Sequence, residues 1–133
     1  MSASTPTLQE FQKQVSELLL RHRSLLDIVT KFGQTGGSVN RAVAKSITEC
    51  GCIELNARHQ GFTEEMELDE ARRRSKSHME GNLCEHCREA ISSELGKTLF
   101  YMTALCNVLD IDMEDVVRKE ADKCATLGVF NLT

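Results

Sequence analysis

The sequence predicts an all-α protein, a four- to five-helix antiparallel bundle, from its composition and from the spacing of its apolar residues. Pro6 is the only proline and aromatic residues make up 5% of the chain, whereas the helix-favouring residues Ala, Leu, Glu, Lys and Arg are common. Apolar residues recur every three or four positions over residues 8–32 and again over residues 91–109, which places them on the faces of helices. A chain of 133 residues is expected to form a single domain.

Charge and cysteine content narrow the classes of partner and compartment. The formal net charge of −4 argues against general nucleic-acid binding through phosphates. No apolar run reaches the ~18 residues of a membrane span, and residues 1–7 lack the basic and apolar parts of a signal peptide. We therefore expect a cytoplasmic protein without a membrane partner. Its six cysteines are then reduced thiols or metal ligands and not a disulfide framework.

The first predicted helix runs from Thr7 to Phe32, after a loose tail over residues 1–6. Its apolar side chains follow a heptad-like spacing that also includes His22 as a core or interface residue. That spacing is typical of the core face of a bundle helix, and it also suits the seam of a homodimer. The remaining members of the pattern are Leu8, Phe11, Val15, Leu18, Leu25, Val29 and Phe32.

Glycines over residues 33–37 predict a connection between helices, with Ser38 as the N-cap of a second helix over residues 39–59. Residues 61–82 form a charged insertion in which acidic residues precede the basic run Arg72–Arg74. We interpret these arginines either as solvated charges or as a clamp for a substrate phosphate.

The third predicted helix begins near Leu83 and contains the longest apolar segment, and Asp112 caps a fourth helix that ends near Leu127. Glu94 and Lys97 are three residues apart and therefore share a helix face. Because this helix is apolar on two sides, that face is expected to lie between helices. A carboxylate in such a place needs a cation or a metal as a partner.

Two stretches of the chain resemble the MazG-like, all-α nucleotide pyrophosphohydrolases. Residues 93–101, SELGKTLFY, and residues 110–117, DIDMEDVV, are similar to the second half of that family. Its metal motif is E-E-x-x-E on one helix and E-x-x-D on the next. Glu49 and Glu94 match motif acids. Thr48, Cys52 and Lys97 stand where the family has the other carboxylates.

The resemblance implies hydrolysis of a nucleoside triphosphate between its α and β phosphates, with Mg²⁺ held by carboxylates. Glu49 and Glu94 would then be catalytic metal ligands, supported by Glu85 and Glu89. Lys97 would join the same site, either in catalysis or as a cation that pairs with both carboxylates and replaces the metal. The side chains expected beside them, and so candidates for substrate contact, are Lys45, Asn56 and Tyr101. The family also forms dimers or tetramers, so a homo-oligomer is expected.

The cysteines offer a different interpretation. The pairs Cys50-x-Cys52 and Cys84-x-x-Cys87 together supply the four thiolates of a tetrahedral Zn²⁺ site. They are also compatible with idle thiols. Cys106 and Cys124 lie at apolar positions and are expected to be small core residues.

Three functions therefore remain open from the sequence. The chain is a nucleotide pyrophosphohydrolase with an altered metal site, a non-catalytic ligand-binding or structural homo-oligomer of the same fold, or a cysteine-rich zinc-binding protein. The cofactor is correspondingly Mg²⁺, Zn²⁺ or none. The first two functions differ in whether Lys97 and Cys52 have abolished binding of Mg²⁺.

Overall fold

A computed structural model describes residues 4–18 and 24–127. The described residues are mainly helical, which confirms the predicted helical class, and the bundle arrangement stays a prediction. Two compact units divide the chain: residues 1–37 with 95–133, and residues 38–94. In chain order the elements are α1 Leu8–Leu18, α2 Leu25–Lys45, a π-helix Ser46–Cys50, β1 Ile53–Leu55, α3 Leu68–Arg74, β2 Met79–Gly81, α4 Glu85–Val108 and α5 Met113–Leu127.

The core of the first unit joins three helices. Val15 of α1, Ile28 of α2 and Ala104 of α4 are each at most 1% exposed and pack together. Partly buried side chains surround them, namely Phe11, Phe100 and Leu105. Val15 is the described member of the predicted apolar pattern that is buried in this core. Leu18, Leu25 and Val29 of that pattern are exposed, and Ile28, which lies outside it, is buried instead.

A single helix over Thr7–Phe32 is a wrong prediction, because α1 ends at Leu18 and α2 begins at Leu25. The core gives the physical reason. In one straight helix Val15 and Ile28 would lie ~20 Å apart along the axis, and they could not pack against each other. The predicted core or interface role of His22 concerns a residue outside those described. The apolar residues Val129, Phe130 and Leu132 predict that the C-terminal tail docks on the bundle, and they also lie outside the described residues.

The side chain of Gln12 fastens α1 to the turn between α4 and α5. Its Nε2 donates to Asn107 Oδ1 at 3.0 Å and to the Ile111 carbonyl at 2.9 Å, and its Oε1 accepts the Met113 N–H at 2.9 Å. Asn107 Nδ2 donates back to the Gln12 carbonyl at 2.9 Å. The predicted cap of α5 is confirmed, because Asp112 Oδ1 accepts the Glu114 N–H at 2.9 Å.

The glycines of residues 33–37 do not break the chain, so the predicted connection and the predicted N-cap at Ser38 are wrong. Helix α2 runs through both. Nothing lies within 4 Å of a Cβ built on Gly33, Gly36 or Gly37, so no close packing requires a glycine there. Burial of Thr35, at 6% exposure, holds this turn in the helix and overrides the weak helix propensity of its neighbours.

The predicted helix over residues 39–59 ends early, at Cys50. The π-helix closes with Gly51 in the left-handed conformation, φ 75°, whose N–H donates to the Ser46 carbonyl. The chain then enters β1, which pairs antiparallel with β2 in the register Ile53↔Gly81, Glu54↔Glu80 and Leu55↔Met79. On the predicted helix Lys45, Glu49, Cys52 and Asn56 would form one polar line at helical spacing. That predicted polar line is interrupted, because Cys52 and Asn56 lie beyond the end of the π-helix.

Helix α3 lies within the predicted charged insertion, between β1 and β2. Arg72 and Arg74 form exposed ion pairs with Asp69 at 3.7 Å and Glu70 at 3.1 Å. These contacts within one helix favour the interpretation of the basic run as solvated charges. Among the described residues, no helix is both long and apolar enough to cross a membrane.

Candidate metal centre and adjoining cavity

Four cysteines from two separate stretches of the chain meet in the unit formed by residues 38–94. Cys50 ends the π-helix and Cys52 precedes β1, whereas Cys84 precedes α4 and Cys87 lies in its first turn. The β1–β2 pairing brings the two stretches together. Gly81 permits this approach, because a Cβ there would lie 2.5 Å from the Cys52 carbonyl oxygen. Gly51 turns the chain between the first two thiols.

The four Sγ atoms all lie within 4.8 Å of one another. The Sγ atoms of Cys50 and Cys84 are 3.7 Å apart. When four sulfurs bind one Zn²⁺ tetrahedrally with Zn–S bonds of ~2.3 Å, neighbouring sulfurs lie ~3.8 Å apart. The distance between the Cys50 and Cys84 sulfurs therefore already matches that of two ligands on a single ion. The arrangement can bind a metal such as zinc.

Local hydrogen bonding prepares one sulfur for ionisation. The backbone N–H of Cys87 donates to Cys84 Sγ at 3.4 Å, and this bond, followed by the Cys87 thiol, lowers the pKa of Cys84 to about 7. The thiol lies just before the N-terminus of the long helix α4, where the helix dipole also favours a thiolate.

The pKa values of two neighbouring thiols, Cys50 and Cys87, are raised. Burial raises the pKa of Cys87 to about 12, with contributions from the surrounding thiols. The hydrogen bond with Cys84 raises the pKa of Cys50. One thiolate in the group therefore disfavours the next. A divalent cation removes this conflict, because it stabilises all four sulfurs as thiolates.

A cavity of about 710 Å³ adjoins the cysteine cluster within the same unit, and Cys50 and Cys87 form part of its wall. Side chains of both charges surround it. Arg41 and Lys45 lie one turn apart on α2. Carboxylates come from the π-helix and from α4, and the further polar and small lining residues are Glu49, Glu94, His86, Ser38, Ser46, Ser93, Ala42 and Ala90.

The cavity contains three of the residues that the sequence singled out for nucleotide chemistry, Lys45, Glu49 and Glu94. Glu85 and Glu89 are exposed on α4 and are not among its lining residues. Asn56 follows β1, where its Nδ2 donates to Glu80 Oε1 at 2.9 Å.

The other two predicted site residues belong to the first unit. Tyr101 packs edge-on against Phe100, with 5.1 Å between ring centroids, and Lys97 is exposed on α4. Cys106 is half-buried, which raises the pKa of its thiol. Cys124 is exposed on α5, contrary to its predicted place as a core residue.

Sequence reasoning did not identify Arg41 or assign a role to His86. Arg41 precedes Lys45 and Glu49 at steps of four residues, which places all three on one helical face. Extending the predicted polar line backwards along α2 would have found it. His86 lies between two cysteines that the sequence did identify, and its position on the cavity wall depends on how α4 begins.

Comparison with protein-family models, with curated proteins and with solved structures gave no match for this chain. The resemblance to MazG-like enzymes therefore stays a prediction carried by the motif residues alone.

Proposed function

We propose that this protein is a zinc-binding protein in which Cys50, Cys52, Cys84 and Cys87 hold one Zn²⁺ ion. The observation that carries the proposal is the convergence of four Sγ atoms within 4.8 Å of one another. Thiolates are the ligands that Zn²⁺ binds in structural sites, and four of them complete its coordination. The centre would therefore be structural, with no open position for a substrate.

The close approach of all four Sγ atoms, each within 4.8 Å of the others, favours a single ion. An iron–sulfur cluster has bridging sulfides and several irons between its cysteines, which requires wider spacing between Sγ atoms bound to different irons. Zn²⁺ is the common occupant of mononuclear four-thiolate sites. Co²⁺ would enter the same tetrahedron and provide a spectroscopic reporter.

Weak hydrophobic packing in the surrounding unit supports a structural role. In residues 38–94, all of which the structure describes, the buried side chains are Ser46, Ile53 and Cys87. One aliphatic side chain does not stabilise a unit of this size, and small units commonly need a metal or a disulfide. Zinc would tie the end of the π-helix to the beginning of α4.

Elemental analysis of protein purified without chelators tests the proposal. We expect about one zinc per chain. After Zn²⁺ is replaced by Co²⁺, the sample should show the absorption spectrum of Co²⁺ bound tetrahedrally by thiolates. The double variant Cys84→Ser/Cys87→Ser should contain no zinc. Cys124→Ser, which changes an exposed cysteine outside the cluster, should retain all of it. Metal-free wild type that binds neither ion on reconstitution would reject the zinc centre.

A second candidate function is nucleotide pyrophosphohydrolysis in the adjoining cavity. It is favoured by one observation: Glu49 and Glu94, the two motif acids, line the same cavity as Arg41 and Lys45. Carboxylates would hold Mg²⁺, and the basic residues would bind phosphate oxygens. Asn56 and Tyr101, the other predicted substrate contacts, do not line this cavity, so other lining residues would have to contact the nucleotide base.

Pyrophosphate release from a panel of standard and modified nucleoside triphosphates, with Mg²⁺ or Mn²⁺, tests this candidate. Glu94→Gln and Glu49→Gln should each abolish turnover. The control Glu89→Gln, which changes an exposed residue on α4 outside the cavity, should not. Wild-type turnover no higher than that of Glu94→Gln would leave a non-catalytic ligand-binding or structural role. The zinc centre does not depend on this result.

Self-association completes the proposal. Leu95 and Leu99, one turn apart on α4, are 52% and 41% exposed, whereas Ala104 on the opposite side of that helix is 1% exposed. A second copy would cover the apolar side that the chain leaves in water. Light scattering should give a dimer for wild type and a monomer for Leu95→Glu/Leu99→Glu. A wild-type monomer at micromolar concentration would reject it.

A further inference from the structure

Within the cysteine cluster, the sulfurs of Cys50 and Cys84 lie in contact, and Cys50 is the exposed cysteine. Cys84 and Cys52 are half-buried and Cys87 is 8% exposed, and the Cys52 thiol donates to the Ser46 carbonyl at 3.8 Å. Cys50 and Cys84 are 3.7 Å apart. An S–S bond is ~2.0 Å long, so a small approach of two side chains would join them.

We infer that Cys50 and Cys84 form an oxidisable pair, and that a disulfide between them opens the metal centre and releases its ion. The metal-release part rests on the proposed zinc centre, whereas the pairing of the two cysteines rests only on their geometry. The oxidant is of the peroxide class, because it must remove two electrons from thiolates and reach a solvent-exposed sulfur. In the zinc-loaded protein the ligand sulfurs are thiolates, and the exposed Cys50 thiolate reacts with the peroxide first.

The chemistry balances in two steps. The Cys50 thiolate attacks one peroxide oxygen, which breaks the O–O bond, forms a sulfenic acid and releases hydroxide that takes up a proton to become water. The Cys84 thiolate then attacks the Cys50 sulfur, forms the S–S bond and expels a second hydroxide, which is also protonated. Two thiolates lose two electrons, and one hydrogen peroxide becomes two waters.

Loss of the metal follows from the ligand count. After the disulfide forms, Cys52 and Cys87 are the thiolates that remain of the four, and two ligands do not complete a structural zinc site. The new bond connects the same two stretches of chain that the metal connected. Oxidation would therefore exchange a labile metal link for a covalent one, and a thiol reductant would reverse it.

The test treats zinc-loaded wild-type protein with hydrogen peroxide, follows zinc with a chromogenic indicator and maps disulfides by mass spectrometry of unreduced peptides. We expect one zinc released for each Cys50–Cys84 disulfide, and recovery of binding after reduction and addition of zinc. Zinc retained at a peroxide dose that fully oxidises the exposed Cys124 would overturn the inference. A map dominated by another pair would do the same.

Metal-free protein separates this inference from the zinc proposal. The Cys50–Cys84 disulfide should form there as well, in Cys52→Ser as in wild type, and it should be missing from Cys50→Ser. If the protein binds no zinc, the metal-release part falls together with the proposed function. The oxidisable pair is then supported by the peptide map if the disulfide is present and overturned if it is missing.

Discussion

The two units of the chain reach order by different means. In the first, Val15, Ile28 and Ala104 come from three helices and exclude water from one another, and Gln12 adds hydrogen bonds to the α4–α5 turn. In residues 38–94, Ile53 is the one aliphatic side chain that is buried. That unit instead gathers four thiols within 4.8 Å.

Because their packing differs, the two units should respond to different perturbations. Apolar burial stabilises the first unit at ~25 cal/mol per Å², whatever the metal content of the solution. The second unit has little such burial, so its stability should follow the occupancy of the cysteine cluster. Metal binding to a site that forms only in the folded state adds directly to the free energy of unfolding.

The largest expected effect is loss of the metal. When free zinc is about 1,000 times its dissociation constant, binding adds about 4 kcal/mol to the free energy of unfolding. Cys84→Ser/Cys87→Ser should lose that increment, as should wild type with a strong chelator. Thermal unfolding with and without chelator provides the measurement, and Cys124→Ser is the matched control. Equal melting curves for the double variant and the control would contradict the role of the cluster.

Zinc affinity should rise steeply with pH. The raised pKa values of Cys50 and Cys87 keep both thiols protonated at neutral pH in the metal-free protein, so both must lose protons when metal binds. These two thiols alone should make the dissociation constant fall by at least two orders of magnitude for each unit of increase in pH near neutrality. Competition titrations with a chromogenic chelator at several pH values measure the slope. A flat profile would mean that the metal binds elsewhere.

Gly81→Ala should destabilise the second unit by about 2–3 kcal/mol and weaken zinc binding. Its φ of 88° is unfavourable for an L side chain, and the added Cβ would meet the Cys52 carbonyl oxygen at 2.5 Å. Chemical denaturation measures the stability change. Gly36→Ala adds the same methyl group to open helix and is the matched control. If both variants behaved alike, the close approach at Gly81 would be wrong.

Gln12→Ala should lower the free energy of unfolding by about 1–2 kcal/mol, because it removes two donated hydrogen bonds and leaves the Met113 N–H without its acceptor. Since Gln12 belongs to the first unit, zinc content should stay at its wild-type level. Denaturation and elemental analysis on the same preparation test both statements. Loss of zinc in this variant would refute the separation of the two units.

The smallest expected effect is a gain. Gly33, Gly36 and Gly37 lie inside α2 with open space around each built Cβ, so replacement by alanine should stabilise the helix by about 0.4–1 kcal/mol each. Single variants measured by urea denaturation give the sign directly. A loss of stability at Gly36→Ala would indicate that this part of α2 is not helical in solution.

Local signals in the sequence predicted the elements that depend on local interactions. The α4 helix follows from apolar residues at helical spacing, and Asp112 caps α5 as predicted. The candidate ligands were also accessible, because two closely spaced cysteine pairs indicate zinc chemistry whatever the fold around them.

Long-range packing decided what the sequence did not reveal. Ile28 and Val15 share one core, so they cannot belong to one straight helix, yet the sequence between α1 and α2 contains neither glycine nor proline to predict a break. The β1–β2 pairing joins residues 53–55 to residues 79–81 across a charged segment. Each strand has three residues, which is too few for the alternation of apolar and polar residues that identifies a strand in a sequence.

Hydrogen exchange followed by mass spectrometry, on the same protein with and without zinc, shows directly which unit depends on the metal. Removing zinc should abolish protection of the β1 and β2 amides and of the first turn of α4, while amides around Val15 and Ala104 keep theirs. Unchanged protection in both units, with zinc demonstrably removed, would contradict the claim that the four cysteines hold residues 38–94 together through a metal ion.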